Sequence, residues 1–385
     1  MTFPSDVTHP IASVPALETY VCTDYHTGGE PFRIVESLPM EPAGADVPTK
    51  RVSAIASPEI QRIREILCFE PRGHADMYGG FLVDPEPGAD LGVLFWHKDG
   101  FSTACGHGTI ALGAWAIESG RISPDPSGVT DVVIDVPSGR VTARVHTEAT
   151  RIPTEAAPQA TGIAEAGSAV GHDMPPRVTH VDFVNVPSYV LAQDVPVTTS
   201  RGELTVDVVY GGAIYAHLDA ATVGLTITPD NHHELISLGR EIKWALNDTE
   251  VARHPLDDRL SGIYGTILFE DLGPAPAESS ADVYQRNVTI FADGEVDRSP
   301  CGSGTSSRVA ALTARGVLGE GETLLHASIV GSHFTALAVE TGSVTVNGVE
   351  TTTVTPQVTG TAHLTGRHEF VVDPWDELVP GFVLR

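Results

Sequence analysis

Cys105-Gly106-His107-Gly108-Thr109 returns as Cys301-Gly302-Ser303-Gly304-Thr305, one position changed, 196 residues further on. Each copy is followed, fifteen residues after its cysteine, by a glycine, Gly120 and Gly316. The residues between are small and apolar: Ile110, Ala111, Leu112, Trp115 and Ile117 in the first copy, Val309 to Leu312 in the second. That spacing predicts a helix with a buried stripe, ended by a glycine that tolerates left-handed backbone. A β-rich run precedes each copy, Leu91–Trp96 and Asn287–Phe291, followed by Asp99-Gly100 or Asp293-Gly294. Strand, turn, cysteine and helix therefore occur once in each half. If the halves pack about a pseudo-twofold axis, two thiols at two helix N-termini face one space.

Outward from this repeat the chain reads as mostly strand. A strand–turn–strand unit is expected around Asp24–Glu30, a helix over Pro58–Leu67, and a hairpin from Val132–Val136 and Arg140–His146 through Pro137-Ser138-Gly139. Glu148–Pro176, rich in Ala, Gly, Pro and Thr, reads as a long connection. The second half is expected to start near Val178–Val190, with a strand over Leu204–Tyr210 and a helix over His232–Leu246. A hairpin is expected from His333–Glu340 and Gly342–Val346, and a last strand at Phe370–Val372. The fold class is α+β, in two similar halves.

With 385 residues, two units are expected rather than one core. The balance of 41% hydrophobic to 19% charged residues suits a globular protein. The longest apolar stretches, such as Thr109–Ile117, are too short for a membrane helix. A net charge of −27, with only Lys50, Lys98 and Lys243 as lysines, argues against nucleic acid or anionic membrane as partner. Met1-Thr2-Phe3-Pro4-Ser5-Asp6 lacks the basic and apolar regions of a signal peptide, so a cytoplasmic location with reduced thiols is expected. Residues 1–15 read as an extension. Cys22 and Cys68 stand among apolar neighbours and are expected to pack in the core.

The chemistry expected of the repeat follows from helix ends. Unpaired N–H groups and the macrodipole favour negative charge there, which predicts a lowered thiol pKa for Cys105 and Cys301. The amides of Gly106-His107 and Gly302-Ser303 can hold a carboxylate. Donors that stabilise an enolate-like state are what proton removal beside a carboxylate needs. Asp297, four residues before Cys301, can receive an amine. His232-His233-Glu234 resembles a metal fragment, but adjacent histidines diverge on a helix, so a solvated helix start is expected. Neither Gly-rich segment has dinucleotide or triphosphate spacing, and Cys105-x-His107 lacks further zinc ligands.

These residues resemble the proline racemase family over about Tyr20–Arg385. The anchors are His26-Thr27-Gly28-Gly29-Glu30-Pro31, Met77-Tyr78-Gly79-Gly80, the first Cys repeat, Val184–Ser188, Gly211-Gly212 and Asp297–Thr305. The resemblance implies a diaminopimelate-epimerase-like fold: two pseudo-symmetric lobes, each with a central helix wrapped by strands, and the active site in the cleft between. It assigns residues 16–185 with 366–385 to the first lobe and 186–365 to the second. It implies no cofactor and no metal, a small imino-acid substrate as partner, and allows a homodimer. Cys105 and Cys301 would be the catalytic pair, with Gly106, His107, Gly302 and Ser303 around the carboxylate and Asp297 at the ring nitrogen. Dehydratases of the family typically replace one cysteine by Ser or Thr, so two thiols favour a racemase or 2-epimerase of proline or hydroxyproline. Arg72–Tyr78, Gly100–Thr103, Gly211–Tyr215 and Tyr264–Leu268 resemble the dehydratase branch, which makes trans-3-hydroxy-L-proline dehydration the second reading.

Overall fold

The computed structural model describes residues 17–148 and 176–384. The expected extension over residues 1–15, and the connection between Glu148 and Pro176, lie outside the described residues. The first part runs β1 (Glu18–Thr27), β2 (Glu30–Val35), α1 (Val47–Ala56), α2 (Pro58–Cys68), β3 (Gly79–Val83), β4 (Leu91–His97) and β5 (Gly100–Phe101). It continues with α3 (Gly106–Glu118), β6 (Val129–Val136), β7 (Gly139–Glu148) and β8 (Arg177–Val184). The second part runs β9 (Tyr189–Thr199), β10 (Gly202–Tyr210), β11 (Ile214–Asp219), α4 (His232–Asn247), β12 (Ile263–Asp271), β13 (Val283–Phe291) and β14 (Glu295–Val296). It ends with α5 (Gly302–Ala314), β15 (Leu324–Ala327), β16 (His333–Val346), β17 (Val349–Gly360) and β18 (Ala362–Val372).

Strand pairing makes the repeat explicit. In the first part β1 and β2 are antiparallel, β2 and β3 parallel, β3–β4 and β4–β5 antiparallel, and β4 is parallel to β6 across α3. The second part repeats this step by step: β10–β11 antiparallel, β11–β12 parallel, β12–β13 and β13–β14 antiparallel, and β13 parallel to β15 across α5. The outer strands correspond as well, β18 pairing with β1 as β9 pairs with β10. The two sets join where β8 runs antiparallel to β17. The expected α+β class, with two similar halves around two central helices, is the architecture found.

α3 packs against β1, β2, β6, β7, β8 and β18, and α5 against β9, β10, β16 and β17. Gly106 to Ile117 are all buried, so α3 carries no solvent face; the expected apolar stripe is in fact a fully enclosed helix. In α5 buried polar groups are paired: Ser307 Oγ lies 2.9 Å from His217 Nε2, and Arg308 Nε donates to Gln285 at 2.9 Å. Gly120 and Gly316, at φ 75° and 68°, end these helices in left-handed backbone as the spacing predicts. A second core cluster, including Val35, Ile63, Phe81 and Trp96, packs under α1 and α2. Cys22 and Cys68 are core residues; burial pushes each thiol up to about 12.

One hairpin differs from expectation. His333–Val346 is a single strand with a bulge between Ala338 and Glu340, and the chain reverses instead at Asn347-Gly348. Both turn residues have positive φ, 49° and 80°, the geometry that Asn-Gly adopts in a two-residue hairpin. Among the described residues no helix is long and apolar enough to cross a membrane.

Candidate active site

The two helix N-termini meet. A Cβ on Gly106 would lie 2.5 Å from Gly302 Cα and 2.7 Å from the Ser303 nitrogen, and one on Gly302 would lie 2.6 Å from Gly106 Cα. Only glycine permits this approach, so two positive helix ends and their free amides converge on one region. Each cysteine is the N-cap of its own helix. Cys105 Sγ accepts the Gly108 N–H at 3.2 Å, and Cys301 Sγ accepts that of Gly304 at 3.3 Å.

The caps are not equivalent. Cys105 is extended, with φ −154°, whereas Cys301 has φ 64° and ψ 107°, outside the ordinary regions for a residue with a Cβ. Such strain costs on the order of 1–3 kcal/mol and persists where neighbours fix it. Here the Cys301 amide donates to Ser299 Oγ at 3.0 Å, and Asn287 Nδ2 donates to the Pro300 carbonyl at 2.9 Å.

Above this contact is a small buried pocket, a chamber of about 10 Å³, lined by Cys105, His107, Asp297, Cys301, Ser303, Ala104, Tyr78, Tyr215, Tyr264 and Phe291. It holds roughly one water. All seven residues singled out from the sequence are therefore together: five line the chamber, and Gly106 and Gly302 form the contact beneath. The aromatic walls were not singled out as site residues. Tyr215 and Tyr264 belong to the parallel β11–β12 pair, Tyr215 opposite Gly265. The Tyr215 hydroxyl is 2.7 Å from Ser303 Oγ and 3.9 Å from Cys301 Sγ. The Tyr78 hydroxyl bonds Ser102 Oγ and, at 2.9 Å, the Tyr264 hydroxyl. Ser102 and Tyr264 also line a cavity of about 450 Å³ beyond this partition, with Arg51, Ile263 and Trp244.

Charge in the chamber differs from the sequence expectation in one respect. Burial pushes both thiols above the ordinary cysteine value; the Asp297 charge adds to this, and the Gly108 and Gly304 N–H groups oppose it. The lowered thiol pKa expected from the helix ends is thus overturned by desolvation of the buried thiols. His107 is held neutral, its pKa pushed down to about 3 by burial. Its ring lies edge-on to Tyr78, with nitrogens 3.5 and 3.6 Å from Cys105 Sγ and Nδ1 3.9 Å from Asp297 Oδ2.

Asp297 is raised to about 6, chiefly by burial, against hydrogen bonds from the Ser299 amide (2.8 Å) and hydroxyl (2.7 Å) to Oδ1. Next to it Glu30, fully buried, is also raised, by burial and then by the Asp297 charge. Arg298 serves this group, its amide donating to Glu30 Oε2 at 2.8 Å and its guanidinium to Asp76 at 2.7 Å. Among the described residues Glu30 Oε1 has no hydrogen-bond partner. Three carboxyl groups against one guanidinium leave a surplus of acceptors that suits a cationic ligand.

The family model described as "Proline racemase" matches residues 22–159 and 159–383. The chain belongs to the proline racemase family. Among proline racemase family relatives it is 39% identical over 368 residues to a trans-3-hydroxy-L-proline dehydratase of Bacillus cereus, covering 95% of this chain and 98% of that one. It is 41% identical to a 3-hydroxyproline 2-epimerase of Burkholderia multivorans, covering 94% and 97%. Of solved structures, a hydroxyproline epimerase from Agrobacterium vitis with bound trans-4-hydroxy-L-proline superposes with a TM-score of 0.79 at 28% identity, covering 95% of this chain and 96% of that one. The relatives are racemase, epimerase and dehydratase enzymes, and this chain is an enzyme of that family.

Proposed function

We propose that this protein is a cofactor-independent 2-epimerase of a hydroxyproline, working by proton transfer between Cα and two thiols. The observation that carries this reading is that Cys105 and Cys301, each capping its own helix, line one chamber. One sulfur, as thiolate, takes the α-proton from one face, and the electron pair moves into the carboxylate as an enolate-like state. The other sulfur, as thiol, returns a proton to the opposite face, and the roles exchange in reverse. The amides of Gly106, His107, Gly302 and Ser303 hold the carboxylate while charge develops there. Asp297, with the acceptor surplus behind it, takes the ring ammonium.

At about 10 Å³ the chamber is too small for a five-membered ring, so substrate enters a wider form. We take residues 16–185 with 366–385, and residues 186–365, as the lobes that separate. Opening readmits water to both thiols, which lowers their pKa toward the ordinary value and makes thiolate available. The names of the Bacillus cereus and Burkholderia multivorans relatives, both of which contain 3-hydroxyproline, support a 3-hydroxy isomer here.

Dehydration of trans-3-hydroxy-L-proline is the second reading, favoured by the dehydratase names among relatives of equal similarity. One thiolate removes the α-proton, the C2–C3 double bond forms, and the 3-hydroxyl leaves as water after protonation. The enamine then tautomerises to a cyclic imine. Proton NMR in D₂O on L- and D-proline and on the 3- and 4-hydroxyprolines separates the readings. An epimerase places deuterium at Cα and yields the opposite configuration; formation of a cyclic imine from the 3-hydroxy isomer without inversion establishes the dehydratase.

A further inference from the structure

A second group of reactive side chains lies on the opposite face of the sheet from α3. Strand β7 faces β8 with Val145 opposite Val181 and His146 opposite His180. A Cβ on Gly113 of α3 would touch Val145 and Val181, so those residues point at the helix. With side chains alternating, His146, His180 and Asp182 share the other face. A register shift after His146 leaves Thr179 as an extra residue, and bulges of this kind re-aim neighbouring side chains. One ligand atom from each of His146, His180 and Asp182 lies within 4.8 Å of the others.

We propose that His146, His180 and Asp182 bind one divalent ion of the zinc class, outside the catalytic chamber. Two imidazoles and a carboxylate are the donors such ions favour, and a partly exposed position leaves room for water as further ligand. Donor atoms around a tetrahedral zinc are roughly 3.3 Å apart, from bonds of roughly 2.0–2.2 Å. Here His146 Nε2 and Asp182 Oδ2 are already 2.9 Å apart. The two rings stack at 4.0 Å with 12° between planes, so the His180 ring turns out of the stack to bring a nitrogen onto the same ion.

The surrounding hydrogen bonds prepare the ligands. The Thr179 hydroxyl, which has one proton, donates to the His146 carbonyl at 3.2 Å, so it accepts from His180 Nδ1 at 3.0 Å. That leaves the His180 Nε2 lone pair for a metal, the tautomer that ligating histidines adopt. Asp182 is fixed from the other side, Oδ1 accepting the Thr359 hydroxyl of β17 at 2.6 Å. By contrast, His97, Asp99 and Glu295 also gather, but the Lys98 ammonium lies 3.5 Å from Asp99 and 3.8 Å from Glu295 and supplies the cation. An ion at His146, His180 and Asp182 clamps β7 to β8 beside the β8–β17 seam between the halves.

The test is isothermal titration with zinc chloride of chelator-treated protein carrying Cys105→Ser and Cys301→Ser, which removes the chamber thiols as competing ligands. The expected result is one micromolar or tighter site and a raised melting temperature, with the hydrogen of His146 Nε2 moving to Nδ1 as Nε2 takes the ion. Cobalt should show visible bands without a thiolate charge-transfer band. His180→Ala and His146→Gln should each weaken binding by at least about tenfold. Gln at 146 can still donate to Asp182, so it preserves the strand clip while removing the ring nitrogen; circular dichroism confirms that each variant folds. Absence of zinc binding at micromolar concentration, or equal binding by the folded variants, would overturn the proposal and leave a plain His–Asp strand contact.

Discussion

The contact between Gly106 and Gly302 can be tested with a single methyl group. Helix propensity alone says that Gly106→Ala should help, by up to about 1 kcal/mol. The structure reverses that sign. The new Cβ would lie 2.5 Å from Gly302 Cα and 2.6 Å from its carbonyl carbon, against ordinary contact at 3.4 Å or more. The obstacle is backbone, so no side chain can swing aside, and the helix ends must part by nearly 1 Å. Overpacking of this kind costs about 1–3 kcal/mol, or roughly 2–4 °C of melting temperature per kcal/mol in domains of this size. The amides of His107 and Ser303 move apart with the helices, and a misplacement of about 1 Å costs roughly 10²-fold in rate. Deuterium incorporation at Cα followed by NMR, alongside thermal denaturation, reads both effects. A Gly106→Ala enzyme with unchanged melting temperature and turnover would refute the abutting-helix geometry and the carboxylate site built on it.

Cys105→Ser and Cys301→Ser should each reduce inversion by about 10²–10⁴-fold, the range for loss of a general acid or base, while far-UV circular dichroism stays unchanged. Asp297→Asn should raise KM for imino acids more than it lowers kcat. Asp297 also makes stability pH-dependent. Its folded-state pKa, about 6, is above the unfolded value, so the native state holds the proton longer and stability falls as pH rises from about 4 to about 6. Denaturant titrations should show that decline in the parent and a flatter profile in Asp297→Asn. Tyr215→Phe removes the hydroxyl 2.7 Å from Ser303 Oγ and should cost about 1 kcal/mol, a rate loss of about fivefold without loss of fold.

The central architecture was legible because its signals are local. A cysteine followed by small residues, with a glycine fifteen positions on, marks cap, helix and stop within one window, and its recurrence implies two matching halves. Helix α1 was not expected, although Asp46 accepts the Thr49 amide at 2.7 Å and Pro48 stands in the first turn; its weak apolar periodicity hid it. The hairpin at Asn347-Gly348 was misplaced because Thr341-Gly342 also reads as a break, and only pairing with β17 shows that the strand continues. The chamber's tyrosines come from β11, β12 and the segment before β3, and their convergence depends on tertiary packing. The thiol charge state was misjudged for a related reason. A helix end is visible in sequence, whereas the burial that outweighs it appears only when the two helix N-termini are packed together in the fold.

A crystal structure with pyrrole-2-carboxylate, whose flat ring imitates the planar α-carbon, addresses the two-thiol arrangement itself. The expected result is a carboxylate on the paired helix amides and the ring carbon between Cys105 Sγ and Cys301 Sγ, each about 3–3.5 Å away on opposite faces. Both sulfurs on one side of the ring, or either beyond contact distance, would contradict it.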